Sequence, residues 1–356
     1  MSVFTINFYS VFFWAFLIYW FPIKDIKKRL ILLCIIFIQF TILAWQRDFE
    51  VGQDTLQYYY AFNQLAHAPL SEIALGSWEP GYLLWNWIIS HLGFDYHAYL
   101  LFTAIFIYFS FCRFVYRYSD CAWLSVIVFI AFGYYFGSLH ILRQYLALSI
   151  VLFSYDFILK RRLLPFILLV LLAFSFHSSA IAFLPTYFIC RLRLKKTTLF
   201  IAFCSSVTLA FIGGYALFNS LIANDQYTHY YINTVEANAG TGYSMLALLI
   251  AIIIIALIVK SKKFTDKERL FYWCFFIAVC AQPFAILVSM VSRGILYWLL
   301  SVAIILPMII HNMKSVLFRI ISYIIVVIGL IVFFEFVTNS NEGIERYATY
   351  RFYNPK

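Results

Sequence analysis

The sequence predicts an all-α polytopic integral membrane protein with roughly 11–13 transmembrane helices. Two observations of composition carry this: of 356 residues, 64% are hydrophobic and only 12% charged, whereas a soluble domain is about half apolar and a quarter charged. The third observation is arrangement. Lys and Arg fall in short runs between apolar stretches of membrane-spanning length, the pattern of charges that set orientation. The net charge of +10 is therefore not a nucleic-acid footprint. The 40 Phe and 27 Tyr suit lipid-facing bulk and interfacial belts, where Tyr and Trp could also stack on sugars.

Taken in order, apolar segments lie near 2–21, 30–46, 97–114, 121–137, 140–159, 163–176, 178–190, 197–218, 243–260, 270–290, 294–311 and 315–336. The first lacks a basic leader and a small-residue cleavage site, so it reads as a retained span. Segments 163–176 and 178–190 fall short of the ~20 residues of an upright span and are expected to be tilted or re-entrant. The stretch GYLLWNWIISHLG (81–93) is shorter still and reads as an interfacial helix. No linker or repeat divides the chain. It is read as one membrane domain, 1–356, with polar excursions at 47–96 and 219–242 and a tail at 337–356.

The runs at 24–29, 113–117, 160–162, 191–196, 260–269 and 314–319 hold twenty of the 26 Lys and Arg. The positive-inside rule puts these in the cytoplasm and both termini on the opposite face. The exceptions are Arg47, Arg143, Arg293, Arg346, Arg351 and Lys356. Arg47, Arg143 and Arg293 stand where spans meet the outer face, each with polar company: Asp48, then His140 and Gln144, then Ser292. A guanidinium at membrane depth usually has a partner or an anionic ligand. Three at one face point to a phosphate site. The plainer reading of Arg143 and of Arg293 is an arginine snorkelling to the interface.

His140, Arg143 and Gln144 are spaced i, i+3, i+4 and are expected on one helix face. Asp54 opens a short helix, with Gln57 three residues on and Tyr58 one turn away. It is either an N-cap or a carboxylate at a surface cleft. Glu79 precedes Pro80 and is either a helix-start residue or a second carboxylate for the site. His177 sits in the break FHSS and is either a turn residue or a proton acceptor. Arg293 has Tyr297 one turn later. A helix N-terminus lowers a carboxylate pKa, so Asp54 and Glu79 would be weak bases. A histidine at its ordinary ~6.5 suits proton transfer better, which favours His177.

The seven cysteines lie in apolar segments or at their basic ends, without CxxC. Neither a disulfide nor a zinc site is expected. DxD, Walker A and HExxH motifs are absent from the sequence. No metal and no cofactor is expected, and a leaving group would be stabilised by arginine.

The order of short motifs is informative: an early R…VGxDTxxY loop (47–58, with Gln53 at x), EPGY (79–82), ILRQYLAL (141–148), FHSS (176–179) and SRGxxYW (292–298). This order resembles the EpsG-like family of bacterial polysaccharide polymerases, related in role to the Wzy O-antigen polymerases. It departs at Gln53, where a small or hydroxyl residue is expected, and at Ser179, where Lys is common. The resemblance implies a GT-C-like polymerase of the bacterial inner membrane, without metal or cofactor. Such an enzyme takes undecaprenyl-diphosphate-linked oligosaccharides at the periplasmic face and moves a growing glycan to a hydroxyl of a new lipid-linked repeat unit. Arg143 and Arg293 would hold the diphosphates. Arg47 would assist them or order the Asp54 loop. His140, Gln144, Tyr58 and Tyr297 would line the substrate site, and His177, Asp54 or Glu79 would act as base. Membrane lipids and a chain-length regulator are the implied partners. An O-antigen ligase, a lipid-linked oligosaccharide flippase and a membrane acyltransferase are the competing classes. A ligase wants a larger outer loop than 219–242, a flippase wants cations through the bilayer, and an acyltransferase wants a partnered membrane histidine.

Overall fold

The computed structural model describes residues 2–354 except 53, 72–77, 194, 223–234, 261–263, 288–290 and 340–349; side chains are described outside 214–241. Among the described residues the chain is helical, with one isolated antiparallel bridge between Arg47 and Phe352.

The helices are α1 (Val3–Trp20), α2 (Asp25–Trp45), α3 (Thr55–Leu65), α4 (Pro80–His91), α5 (Tyr96–Tyr118), α6 (Ala122–Ala131), α7 (Tyr134–His140), α8 (Leu142–Leu159) and α9 (Leu163–Phe174). A 3-10 segment, Ser178–Phe183, leads to α10 (Thr186–Ile189). Then come α11 (Lys196–Ile222), α12 (Val235–Val259), α13 (Asp266–Leu287), α14 (Val291–Leu299), α15 (Val302–His311) and α16 (Val316–Asn339). Among the described residues, nine helical stretches are long and apolar enough to span, counting α14–α15 as one. The pair α6–α7, bent by 55°, makes a tenth. The polytopic all-α fold is as expected from composition.

Two boundaries differ from the sequence reading. The described residues of the excursion at 219–242 belong to α11 and α12, with 223–234 outside the described residues, and α16 runs to Asn339 before any tail begins. The stretch 163–189 is two short pieces. Twelve residues of α9 rise about 18 Å, too little for a ~30 Å hydrocarbon core. They meet the 3-10 segment at a turn capped by His177.

The core is α5, α6, α8, α13 and α15. Every residue of α6 but Trp123 is buried, and α15 is apolar all round. Such helices pack on protein on every side. α16 is the opposite case, its apolar side chains mostly exposed and fit for lipid. Within the α1–α2 hairpin, Trp14 Nε1 donates to Gln39 Oε1 (2.9 Å) and Gln39 Nε2 to Ser10 Oγ (2.7 Å). Polar bonds of this kind fix helix pairs where lipid supplies no hydrophobic drive.

The basic end is cross-linked as well as charged. Asp156 of α8 accepts from Arg113, Arg117 and Tyr118. Lys260 pairs with Glu268 (2.5 Å), which also accepts from Asn312 (3.1 Å), tying α12, α13 and α15 together.

Candidate functional site at the sparsely charged end

The site is built from three breaks in helical structure. The first is between α7 and α8. Gly133 adopts φ +75°, open to glycine at little cost, and turns α6 into α7. A second interruption follows at Ile141 (φ −99°, ψ 62°), so His140 ends α7 while Arg143 and Gln144 start α8. The expected single stripe of His140, Arg143 and Gln144 is therefore not formed. The cause is the first loop packing into the break. Thr55 Oγ1 donates to Val51 O (2.8 Å) and reaches Leu139 O (3.5 Å). Gly52 lies against Leu139 O and His140 with φ +113°, where any Cβ would collide with Thr55. His140 packs against Phe136 with the rings tilted by 60° (3.9 Å between ring centres) beside this loop.

The second break is the start of α4, and the third the FHSS turn; these two are joined. Gly81 N–H donates to Ser175 O (2.7 Å), and a Cβ at Gly81 would run into Ser175. Glu79 thereby faces α8. Its Oε2 accepts from Arg143 Nη1 (2.6 Å) and its Oε1 from the Ser178 backbone N–H (3.1 Å). It does not cap α4, although Pro80 opens that helix as expected. Arg143 also lies over the ring of Trp78, 4.9 Å from its centre. Its buried Nε has no protein acceptor.

Asp54 precedes α3 but its side chain makes no capping bond, so the capping box with Gln57 is not formed. The carboxylate feels Arg293 and Arg143. Burial outweighs both and raises its pKa from the ordinary aspartate value. Tyr58, one turn on, feels the same two arginines; burial keeps its hydroxyl protonated, with a pKa of about 12. Glu79 goes the other way. Burial would raise its pKa, but Arg143 and the backbone N–H groups prevail and hold it low. The expectation of a lowered pKa thus fails for Asp54, which desolvation governs; for Glu79 the direction is as expected, but Arg143 and backbone N–H groups produce it.

His177 Nδ1 accepts from Ser179 N–H (3.2 Å) and lies 2.7 Å from Ser179 Oγ, itself 3.1 Å from the Tyr297 hydroxyl. With the Nδ1 lone pair engaged, the neutral ring carries its proton on Nε2 and offers a donor there. Burial, together with Arg143 and Arg293, lowers its pKa to about 4 despite Glu79. The ordinary value assumed from sequence does not apply. Gln144 Nε2 donates to the Arg293 backbone carbonyl, fixing the start of α14 against α8.

Asp54, Tyr58, Glu79, Arg143, His177, Arg293 and Tyr297 thus form one electrostatically connected group. Arg47 stands apart. It is 2% exposed, bonds Ala44 O (3.1 Å), and acts electrostatically on Tyr96, Tyr99, Tyr108, Tyr135 and Tyr350. Of the two roles expected for Arg47, assisting at the phosphate or ordering the Asp54 loop, this enclosed position suits the second. Trp78, Ser178 and Ser179 are the members that sequence reasoning passed over as site residues; Trp78 beside Glu79 was the available signal.

The sequence model of the EpsG family matches residues 30–352. The chain belongs to the EpsG family. That span takes in every residue of the group just described. Membership is consistent with a polymerase-like role in membrane polysaccharide biosynthesis, on lipid-linked substrates. Comparison with curated proteins and with solved structures gives no match.

Proposed function

We propose that this EpsG-family chain is a polysaccharide polymerase. It transfers a growing glycan from undecaprenyl diphosphate to a hydroxyl of an incoming lipid-linked repeat unit, at the periplasmic face of a bacterial inner membrane. The observation that carries this is the meeting of Arg143 and Arg293 with Asp54, Glu79 and His177 at the sparsely charged end. Arginine supplies a fork for diphosphate oxygens, and the acids and histidine supply proton handling.

In this reading the acceptor oxygen forms a bond to the donor's anomeric carbon as the bond from that carbon to the diphosphate breaks. Arg143 and Arg293 take the charge developing on the diphosphate. The hydroxyl proton passes to Asp54. Desolvation makes Asp54 the stronger base of the two carboxylates, and a bound diphosphate strengthens it further by offsetting the two arginines. Glu79 holds Arg143 against Trp78. His177 is a donor through Nε2–H to the acceptor or the diphosphate. That reverses the preference drawn from sequence, because its Nδ1 is occupied.

The test is a purified protein in a bilayer with a defined lipid-diphosphate-linked repeat unit. The expected products are longer lipid-linked glycans and free lipid diphosphate. Arg143→Ala should lose roughly 100-fold or more in turnover, the scale of removing a charge-stabilising donor. Arg143→Lys keeps the charge but loses the planar fork, and should lose about 10-fold. Single units carried across the bilayer without elongation would instead indicate a flippase. Transfer only to a different acceptor would indicate a ligase.

A further inference from the structure

The end of the chain folds back on the loop that carries Asp54. Phe352 pairs with Arg47 in an antiparallel bridge. Asp48 N–H donates to Arg351 O (2.9 Å) and Tyr353 N–H to Gln46 O (2.7 Å), so both flanks of Arg47 are held. The Tyr350 hydroxyl donates to Leu43 O (2.7 Å) at the end of α2. Tyr353 stacks on His97 (4.2 Å), which in turn lies on Trp45 (5.3 Å). Arg351 also sits 3.6 Å from Glu50.

Arg47 is the group this strap encloses. Its Nε and Nη2 are buried without an acceptor, and no carboxylate pairs with it among the described residues. An arginine kept from water in that condition is costly. It persists only when its surroundings are held firmly by other bonds. Tyr350, one of the rings the charge acts on, is itself part of the strap.

From Arg47 the chain runs to Asp54 through a tightly wound loop. Val51 N–H donates to Asp48 O (3.0 Å) and Thr55 N–H to Gly52 O (3.2 Å). The far end is fixed at α5, where the Tyr96 hydroxyl donates to Thr55 O (3.2 Å). At the near end the strap adds backbone bonds on both sides of Arg47 to the Arg47 Nη1–Ala44 O bond (3.1 Å) and the Phe49–Tyr59 stack (5.0 Å). The family match runs to Phe352, so the bridge lies within the length the family shares.

We infer that residues 350–353 are a positioning strap: by pairing with Arg47 they fix the near end of the 47–55 loop and so set Asp54 in the site. This rests on the role proposed for Asp54, and the experiment separates the two. Amide hydrogen exchange is measured on the purified full chain and on a chain ending at residue 349. A second variant, Tyr350→Phe with Tyr353→Leu, serves if truncation lowers the yield. The amides of Val51 and Thr55 bond only within the loop, so their protection reports loop order, and amides of α5 and α8 serve as reference. Loss of the strap should speed exchange at Val51 and Thr55 about 10-fold or more while the reference amides are unchanged. Turnover should fall about 10-fold with little change in donor KM, as expected when a catalytic group is misplaced and not removed. Unchanged protection at Val51 and Thr55 would overturn the strap, whatever the protein catalyses. So would lost protection with full turnover. An active Asp54→Asn variant would sink the Asp54 assignment alone, leaving the exchange result to stand.

Discussion

Glu79 and Asp54 are two carboxylates near the same arginine with opposite fates, and the difference is in their bonds. Glu79 has one oxygen on Arg143 and the other on a backbone N–H, so it stays ionised and low. Asp54 is partly desolvated and has no capping bond, so its pKa rises. A base must be deprotonated to act. Turnover should therefore fall as pH drops through the raised pKa of Asp54, and the acid limb should lie higher than an ordinary aspartate would put it. His177, at about 4, stays neutral throughout the neutral range and should add no limb near ~6.5, the value of an unperturbed imidazole. The kcat/KM profile of wild type and His177→Gln checks this. A limb near ~6.5 that vanishes in His177→Gln would return the base role to the histidine. Much at this scale was legible in the chain, because polar residues stranded on the sparsely charged side stand out against apolar surroundings. Their pairing was not. Glu79 meets Arg143 across 64 positions, and nothing in local spacing reports a contact of that kind. Trp78 went unmarked as a site residue because its one signal, a place beside Glu79, is weak among so many aromatics until a cation lies on the ring.

At the scale of elements, three interruptions make the site. Apolar periodicity located the spans well, since a helix in lipid must satisfy its own backbone and leaves a long uninterrupted run. The failures fall where helices stop. The stripe of His140, Arg143 and Gln144 assumed a continuous helix, and the Ile141 break divides it. That break depends on Gly52 and Thr55, some 85 residues earlier, which no window on 140–144 contains. The tail was read as a polar end, and its last described residues instead pair with Arg47. Gly81 offers a test of how firmly the α4 start is seated on the FHSS turn. A methyl there meets the Ser175 backbone, and overpacking of this sort costs about 1–3 kcal/mol. Gly81→Ala should lower the thermal midpoint in detergent and loosen the Glu79–Ser178 contact, with turnover falling as well. Gly329→Ala, on α16 with nothing near its Cβ position, should leave both unchanged. Equal behaviour of the two variants would show that α4 does not rest on this turn as described.

Viewed whole, the molecule has two unlike ends. One gathers its charges into structural ties: Asp156 with Arg113, Arg117 and Tyr118, and Glu268 with Lys260 and Asn312. The other buries Arg47, pairs Arg143 with Glu79, and carries the two acids and the histidine of the proposed chemistry. This polarity implies an orientation. Twenty of 26 basic residues lie in the runs of the first end. Inverting the protein would require those runs to cross the membrane, which the positive-inside rule disfavours. The proposed orientation puts the site end on the periplasmic side, together with the start of α1 and the strap. Glu50 and Asn354 are exposed at the site end and Lys24 at the basic end, so cysteines placed there singly report the two faces. In whole cells an impermeant thiol reagent should label Glu50→Cys and Asn354→Cys but reach Lys24→Cys only after lysis. The parent chain with its seven native cysteines gives the background. Labelling of Lys24→Cys in intact cells, with Glu50→Cys silent until lysis, would reverse the orientation. It would put the arginine site in the cytoplasm, where a lipid-linked unit awaiting polymerisation on the outer face could not reach it.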